Sequence, residues 1–435
     1  MRLFVALAAL AVSAENWPQF RGPGARGIAE KQHLPASWNV KTGENIAWKT
    51  ELPGLGLSSP IVWGNRLYLT TAVSSNPQMV FEEKLKGELD RRQDAAEQQF
   101  RVLAIDTKSG KIVWNTLAAT AKPRVLRHPH NSYASPTPVT DGKHLIAFFG
   151  SEGLYCFDLK GKLLWSKDLG ALDQGAFDLP DYQWGSASSP VLWQGKVLLQ
   201  VDMHKGSFLA SFDAATGREL WRTPRDSKPA WATPTVVTSA TRTEIVTNGV
   251  EHVCGYDAET GKELWRIKGT SMISVPTPFV HDGLVYVFSG YSRYIRRSYA
   301  IKPGASGDIT NSKQHIAWMR EEAPYLSTPV IAGGQVFTLS SRGVLVTYDA
   351  ATGKTAYQQR LGNGTGVSSS LVAADGMVFG INEDGEVYVF QPGAKYEQLA
   401  LNAMGEAVLT TPAIADKTLF IRGTRTLWAI RKGAR

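Results

Sequence analysis

The sequence of 435 residues predicts an all-β fold, an eight-bladed β-propeller with four-stranded blades closed by an N-terminal strand that completes the last blade. Three observations carry this. A unit of about 40 to 50 residues recurs along the chain, the period of a propeller blade or solenoid repeat. Short apolar runs are punctuated by 41 Gly, 22 Pro and 13 Trp, which suits many short strands rather than a helical bundle. Finally, a strand pattern near the N-terminus has no unit of its own, while the last unit lacks one strand.

The clearest unit reads Ser189-Pro190-Val191-Leu192, then Lys196-Val197-Leu198-Leu199-Gln200, then Leu209-Ala210-Ser211-Phe212-Asp213, then Thr216-Gly217-Arg218-Glu219-Leu220-Trp221. Four strands fit in it. Its opening Ser/Thr-Pro step recurs at Pro60, Pro138, Pro190, Pro234, Pro278, Pro329 and Pro412, and Leu371 takes the same slot after Ser370, which makes eight units. The closing element recurs as Gly110 to Trp114, Gly161 to Trp165, Gly261 to Trp265 and Gly353 to Tyr357, and in degenerate form as His315-Ile316-Ala317-Trp318. In Asp213-Ala214-Ala215-Thr216-Gly217 the Asp and Thr side chains are expected to bond the turn backbone and Gly217 to take a left-handed conformation. Trp221 then returns to the strand and is expected to wedge against the neighbouring blade. The last unit has strands only near 411–415, 418–422 and 427–430, whereas Asn45-Ile46-Ala47-Trp48-Lys49 looks like an orphan fourth strand. Pairing the two closes the ring and removes exposed sheet edges.

Composition bounds the function. With 43% hydrophobic residues the chain can bury a large core, and 47 Lys+Arg against 39 Asp+Glu leave a formal charge of +8 with no basic block, so nucleic acid is not an expected partner. The apolar stretch 3–12 is too short to span a bilayer, for which about 20 residues are needed. Behind Arg2 and ahead of Val12-Ser13-Ala14 it reads as a signal peptide over 1–14, followed by an extension over 15–44 and the propeller over 45–433. The expected location is therefore periplasmic or extracellular, and the expected state a monomer with no transmembrane segment. Cys156 and Cys254 lie in strand-like runs of different units and are expected to be buried free thiols; there is no Cys-x-x-Cys and no vicinal Cys pair.

The Asp-x-x-Thr-Gly-x-x-x-Trp unit and the count of eight resemble the quinoprotein-like propellers, whose tryptophan docking motif this is. The resemblance covers residues 45–433 and implies fold more strongly than activity, since that superfamily includes pyrroloquinoline quinone dehydrogenases, outer-membrane assembly lipoproteins and exported propellers without a known role. Asn16-Trp17-Pro18-Gln19-Phe20-Arg21-Gly22-Pro23 and Asn131-Ser132-Tyr133-Ala134-Ser135-Pro136-Thr137-Pro138 are similar to the last group. The dehydrogenases hold quinone under a vicinal disulfide beside a calcium ion, and the lipoproteins carry an acylated Cys after the signal peptide; this chain has neither cysteine feature.

Ligands of a propeller usually meet loops of several blades at one face, so departures from the repeat mark the candidate site. The loop leading into blade two carries His128, His130, Asn131 and Tyr133; that of blade three carries Asp181 and Trp184; that of blade four carries Trp231. Asp202 and His204 end the second strand of blade three and are expected to border the same space, where a close Asp–His pair is one reading of a general base. His128 and His130 alone are weak evidence for a metal. Two further departures are an insertion over 74–99 in blade one, with Phe81, Leu85 and Leu89 on one helical face, and Tyr291-Ser292-Arg293-Tyr294-Ile295-Arg296-Arg297 in blade five. No phosphate loop and no Gly-x-Ser-x-Gly elbow is present. The expected function is binding of a small molecule, a glycan or an envelope protein at one face. The alternative is a quinone-dependent alcohol or sugar dehydrogenase using pyrroloquinoline quinone and Ca²⁺.

Overall fold

Alternating apolar and β-branched runs separated by Gly-containing turns fold into eight antiparallel sheets arranged in a ring among the described residues. The computed structural model describes residues 16–76, 81, 96–176, 179, 182–291 and 295–434. Blade three shows the pattern: Val191–Trp193, Lys196–Val201, Phe208–Asp213 and Glu219–Pro224 pair in sequence order. Strands two and three are buried on both faces because each blade is sandwiched between its neighbours, whereas the outermost strand is wetted. Two short segments add parallel fifth strands, Ile28–Ala29 on blade seven and Gly307–Asp308 on blade four.

Closure follows the expected route. Blade eight consists of Ala413–Ala415, Thr418–Arg422 and Thr426–Ile430, and its fourth strand is Ile46–Glu51, antiparallel to Thr426–Ile430 with Lys49 opposite Trp428. Along the channel, a second closure runs through side chains. The Ser59 N–H donates to the Thr137 hydroxyl at 3.0 Å, that of Thr137 to Ser189 at 2.9 Å, and that of Ser189 to Thr233 at 3.0 Å. The chain of bonds continues through Thr277, Thr328, Ser370 and Thr411, whose N–H returns to the Ser59 hydroxyl at 3.0 Å. The Ser/Thr of every Ser/Thr-Pro step is therefore an inter-blade fastener. It accepts a main-chain proton that no β-ladder could use there.

The outer rim is fastened by the docking motif. Asp213 accepts from the Thr216 N–H at 2.8 Å and its hydroxyl at 2.7 Å, which fixes the turn. At the next turn Gly261 has φ 71°, and a Cβ added there would lie 2.4 Å from the Trp221 ring of blade three, so the position needs Gly for backbone and space alike. Trp48, Trp114, Trp165 and Trp318 sit on the following blade's turn in the same manner. Trp48 and Trp165 donate their indole N–H to Thr107 O and Ala214 O across the blade boundary. Trp265 departs from this: blade five carries no such turn, and the indole instead donates to Glu244 within its own blade at 2.8 Å. Cys156 and Cys254 are buried free thiols whose pKa burial pushes up to about 12 and about 11. The candidate helix within 74–99 lies almost wholly outside the described residues, as do the signal-like residues 1–14.

Two outcomes are expected. Ser189→Ala leaves the buried Thr137 N–H without its acceptor and should lower stability by about 1–3 kcal/mol in denaturant titration. The hydrogen bonds from Thr216 and Thr352 hold the carboxyls of Asp213 and Asp349 below their ordinary value of 3.8. The folded state thus gains from these groups above that value and loses the gain as pH falls through the lowered one. The melting temperature should drop on acidification below pH 3.8, and less steeply in the Asp213→Asn, Asp349→Asn double variant.

Candidate functional site

A ring of eight blades leaves an axial channel, and the N-terminal extension stops one end of it. Trp17 pairs with Val62 of blade one through N–H···O bonds of 2.9 and 2.8 Å, and Pro18 O accepts from Thr140 of blade two at 2.9 Å. The chain then crosses the axis, where fully buried Arg21 spreads its guanidinium over carbonyls of other blades: Leu371 O at 2.7 Å, Pro329 O at 2.6 Å and Thr328 O at 3.2 Å. A further bond from Nε to Ala25 O, 3.0 Å, ties Arg21 to its own segment. Gly27 O accepts from Ala373 of blade seven at 2.8 Å. Residues 16–29 are therefore a plug, and Phe20, beside Arg21, projects into the channel as its floor.

Above the floor lies a partly open cup of about 450 Å³ that takes in the hydroxyl ring and the loops leading into the innermost strands. One wall is aromatic. Trp184 and Trp231 lie 5.7 Å apart between centroids at 35°, and Tyr291 and Tyr325 meet edge-on at 5.0 Å. The Trp231 N–H is anchored on Gly185 O at 2.7 Å, which sets the indole plane. Ile273, Val275 and Ala187 fill the gaps between the rings.

Across from these rings the chemistry is polar and acceptor-rich. His128 presents its ring edge-on to Trp184 at 5.2 Å and accepts the His130 N–H on Nδ1 at 3.1 Å. Nδ1 of His130 is 3.4 Å from Glu383 Oε2, and the Ser368 hydroxyl donates to Glu383 Oε1 at 2.5 Å. Burial raises the Glu383 carboxyl, but the hydrogen bonds from His130 and Ser368 and the nearby imidazoles outweigh it, leaving the group below its usual value and ionised at neutral pH. Nε2 of His130 is buried with no hydrogen-bond partner among the described residues. Asn131 holds this corner to blade three by donating to Trp184 O at 2.7 Å, and it accepts the Ser132 N–H at 2.8 Å. A second, polar recess of about 350 Å³ adjoins the cup and shares His130, Gly366 and Glu383 with it; Asp384 and Glu406 complete its acidic side.

Of the residues singled out in the sequence, the structure brings His128, His130, Asn131, Trp184 and Trp231 to the cup. Asp181 lies outside the described residues. Tyr133 turns into the core between blades one and two, with its hydroxyl on Val125 O at 3.2 Å. The expected Asp202–His204 pair does not form. Asp202 is buried against Arg225, with Nε 2.7 Å from Oδ1, because that guanidinium also reaches Thr247 and Tyr256 and needs a counter-charge; His204 stands 3.1 Å from Asp173 instead. Trp184, expected at an exposed mouth, is only 8% exposed. Glu383, Ser368, Tyr325 and Phe20 were missed. The available signal for Glu383 was Gly362-Asn363-Gly364-Thr365-Gly366, a Gly-rich leading loop: a Cβ on Gly366 would lie 2.5 Å from the carboxylate. Ser292, Arg293 and Tyr294 lie outside the described residues, although Tyr291 lines the cup.

The donor set does not fit pyrroloquinoline quinone. That cofactor carries three carboxylates, and among the described residues neither cup nor recess contains a Lys or Arg, while Glu383 presents like charge. No group of three or more His, Cys, Asp or Glu suited to a metal occurs among them either.

The family model described as outer membrane protein assembly factor BamB matches residues 29–203, 204–304 and 314–395. BamB from Moraxella catarrhalis is similar in structure, with 14% identity and a TM-score of 0.56 over 76% of this chain and 93% of that one. The quinohemoprotein alcohol dehydrogenase from Comamonas testosteroni is 12% identical, with a TM-score of 0.61 over 97% of this chain and 81% of that one. The computationally designed Ika8 protein is 13% identical, with a TM-score of 0.50 over 78% of this chain and 94% of its own. At these identities the likeness speaks for fold. No curated protein matches the chain.

Arg21→Met strips donors from buried carbonyls of the plug and of blades six and seven, and should cost about 3 kcal/mol or more in denaturant unfolding. Arg21→Lys should restore only part of this, since an ammonium cannot span the same fork.

Proposed function

The chain belongs to the propeller family whose model is described as outer membrane protein assembly factor BamB, and from that premise we propose that it is an exported, non-catalytic binding protein that takes a sugar ring of a glycan into its plugged axial cup. The observation that carries the reading is the cup itself: a floor of Phe20, the indoles of Trp184 and Trp231 on one side, and the Glu383 carboxylate beside His130 on the other. Apolar ring faces with a few convergent polar groups are how a compact polar ring is bound, the C–H face on the indole and the hydroxyls on the acceptors. The signal-like residues 1–14 support export, and in the periplasm or outside the cell such glycans are at hand.

A second reading, an envelope protein partner, is favoured by the apolar strip that Ile112, Val113, Leu117, Leu163 and Leu164 expose on the outer strands of blades one and two. Quinone-dependent oxidation is not favoured, because among the described residues the cup offers no Lys or Arg to neutralise the cofactor's carboxylates.

Isothermal titration with envelope oligosaccharides should give saturable binding at one site. Trp184→Phe should weaken it by several fold while the protein still melts cooperatively. Heat without saturation, or affinity indifferent to Trp184, would contradict the reading, as would turnover of any bound sugar.

A further inference from the structure

Which sugar ring the cup prefers is set at its polar corner, where the Glu383 carboxylate is the one charged group common to both cavities among the described residues. Glu383 lines both cavities with its side chain 19% exposed, and its carboxylate accepts from the Ser368 hydroxyl at 2.5 Å. Asn131 has committed its amide protons to Trp184 O at 2.7 Å and Ser186 O at 3.4 Å. Beyond the wall, Asp384 and Glu406 continue the negative field into the recess, and Arg425 that pairs with Glu406 at 3.2 Å is 79% exposed and points its charge to solvent. No Lys or Arg lines either space among the described residues.

The two cavities also differ in kind. The cup is mostly apolar and ring-sized, the recess mostly polar, and His130, Gly366 and Glu383 are common to both. Gly366 matters here, because any side chain at that position would strike Glu383 and close the wall: its Cβ would fall 2.5 Å from Oε2. A ligand seated on the indoles therefore meets a carboxylate at the point where it can extend a substituent toward the recess.

Resting on the sugar-ring reading above, we infer that the cup selects amino sugars with a free ammonium group, the ring lying against Trp184 and Trp231 and the ammonium donating to the Glu383 carboxylate. An ammonium brings three donors and a positive charge to a site that holds acceptors and a negative one. A neutral hydroxyl at the same place makes a weaker bond, and a carboxylate there is repelled. The lowered proton affinity of Glu383 keeps that charge in place at neutral pH.

Three ligands that share one ring and differ in charge, glucosamine, glucose and glucuronate, test this by titration calorimetry in neutral buffer of low ionic strength on the wild-type protein. The expected order is glucosamine first by roughly tenfold over glucose, the worth of a charge-assisted hydrogen bond, with glucuronate weakest. In Glu383→Gln the ratio of glucosamine to glucose affinity should collapse toward one; Asp384→Asn, exposed and outside the hydrogen-bonded corner, should reduce the ratio by a smaller factor. Equal affinities for glucosamine and glucose, or tighter binding of glucuronate, overturn the amino-sugar inference and leave the sugar-ring reading standing. Binding of none of the three overturns the sugar-ring reading itself.

Discussion

Eight hydroxyls, one per blade, are what the rest of the molecule depends on. In a propeller the innermost strands diverge from the axis, so the main-chain N–H ahead of each has no ladder partner. Here each one finds the Ser or Thr hydroxyl of the next blade, from Ser59 through Thr411 and back. The following Pro, present in seven of the eight steps, has no N–H to satisfy and holds the preceding residue extended. Closure at the axis and closure at the rim, by the strand Ile46–Glu51, are then independent locks on one ring. The tryptophans set the spacing between blades, and the hydroxyls set their phase around the axis.

A channel built this way is lined by small hydroxylated residues and would pass through the molecule if nothing stopped it. The N-terminal extension does so with one fully buried arginine. Arg21 suits the role because its fork can satisfy carbonyls from blades six and seven and from its own turn at once, without a carboxylate. What results is a cup rather than a pore. Its floor and hydroxyl belt are structural, and the leading loops of several blades form the rest of its lining.

The ring, the docking turns and the seam were legible because they are repeated, and repetition makes a weak local signal strong. Pro60 or Trp114 alone means little; seven such Pro steps and five such closing elements in register around eight units have one geometric solution. The aromatic side of the cup was legible for a related reason, since Trp184, Trp231, His128 and His130 interrupt the repeat just ahead of innermost strands. Glu383 was not, because it follows a second strand of blade seven and reaches the cup only through the space that Gly366 leaves. Asp202 and His204 misled for the opposite reason. Two residues apart just past a strand that ends near the mouth, they look like a pair, yet Arg225 arrives from 23 residues further on and claims the Asp. Nothing in the sequence says that residues 16–29 fold back across the axis, since the partners of Arg21 lie more than 300 residues away.

Membership of the BamB-type family accounts for the ring, and the proposed site lies in the axial cup. In the proposed reading, the aromatic wall facing the carboxylate–imidazole pair, over a closed floor, takes one small ring. A crystal structure of the protein soaked with glucosamine tests that most directly. The expected result is density for a single ring above Phe20, flat against Trp184 or Trp231 with its amine toward Glu383. A cup that holds only solvent while the sugar is found on the outer rim would contradict it.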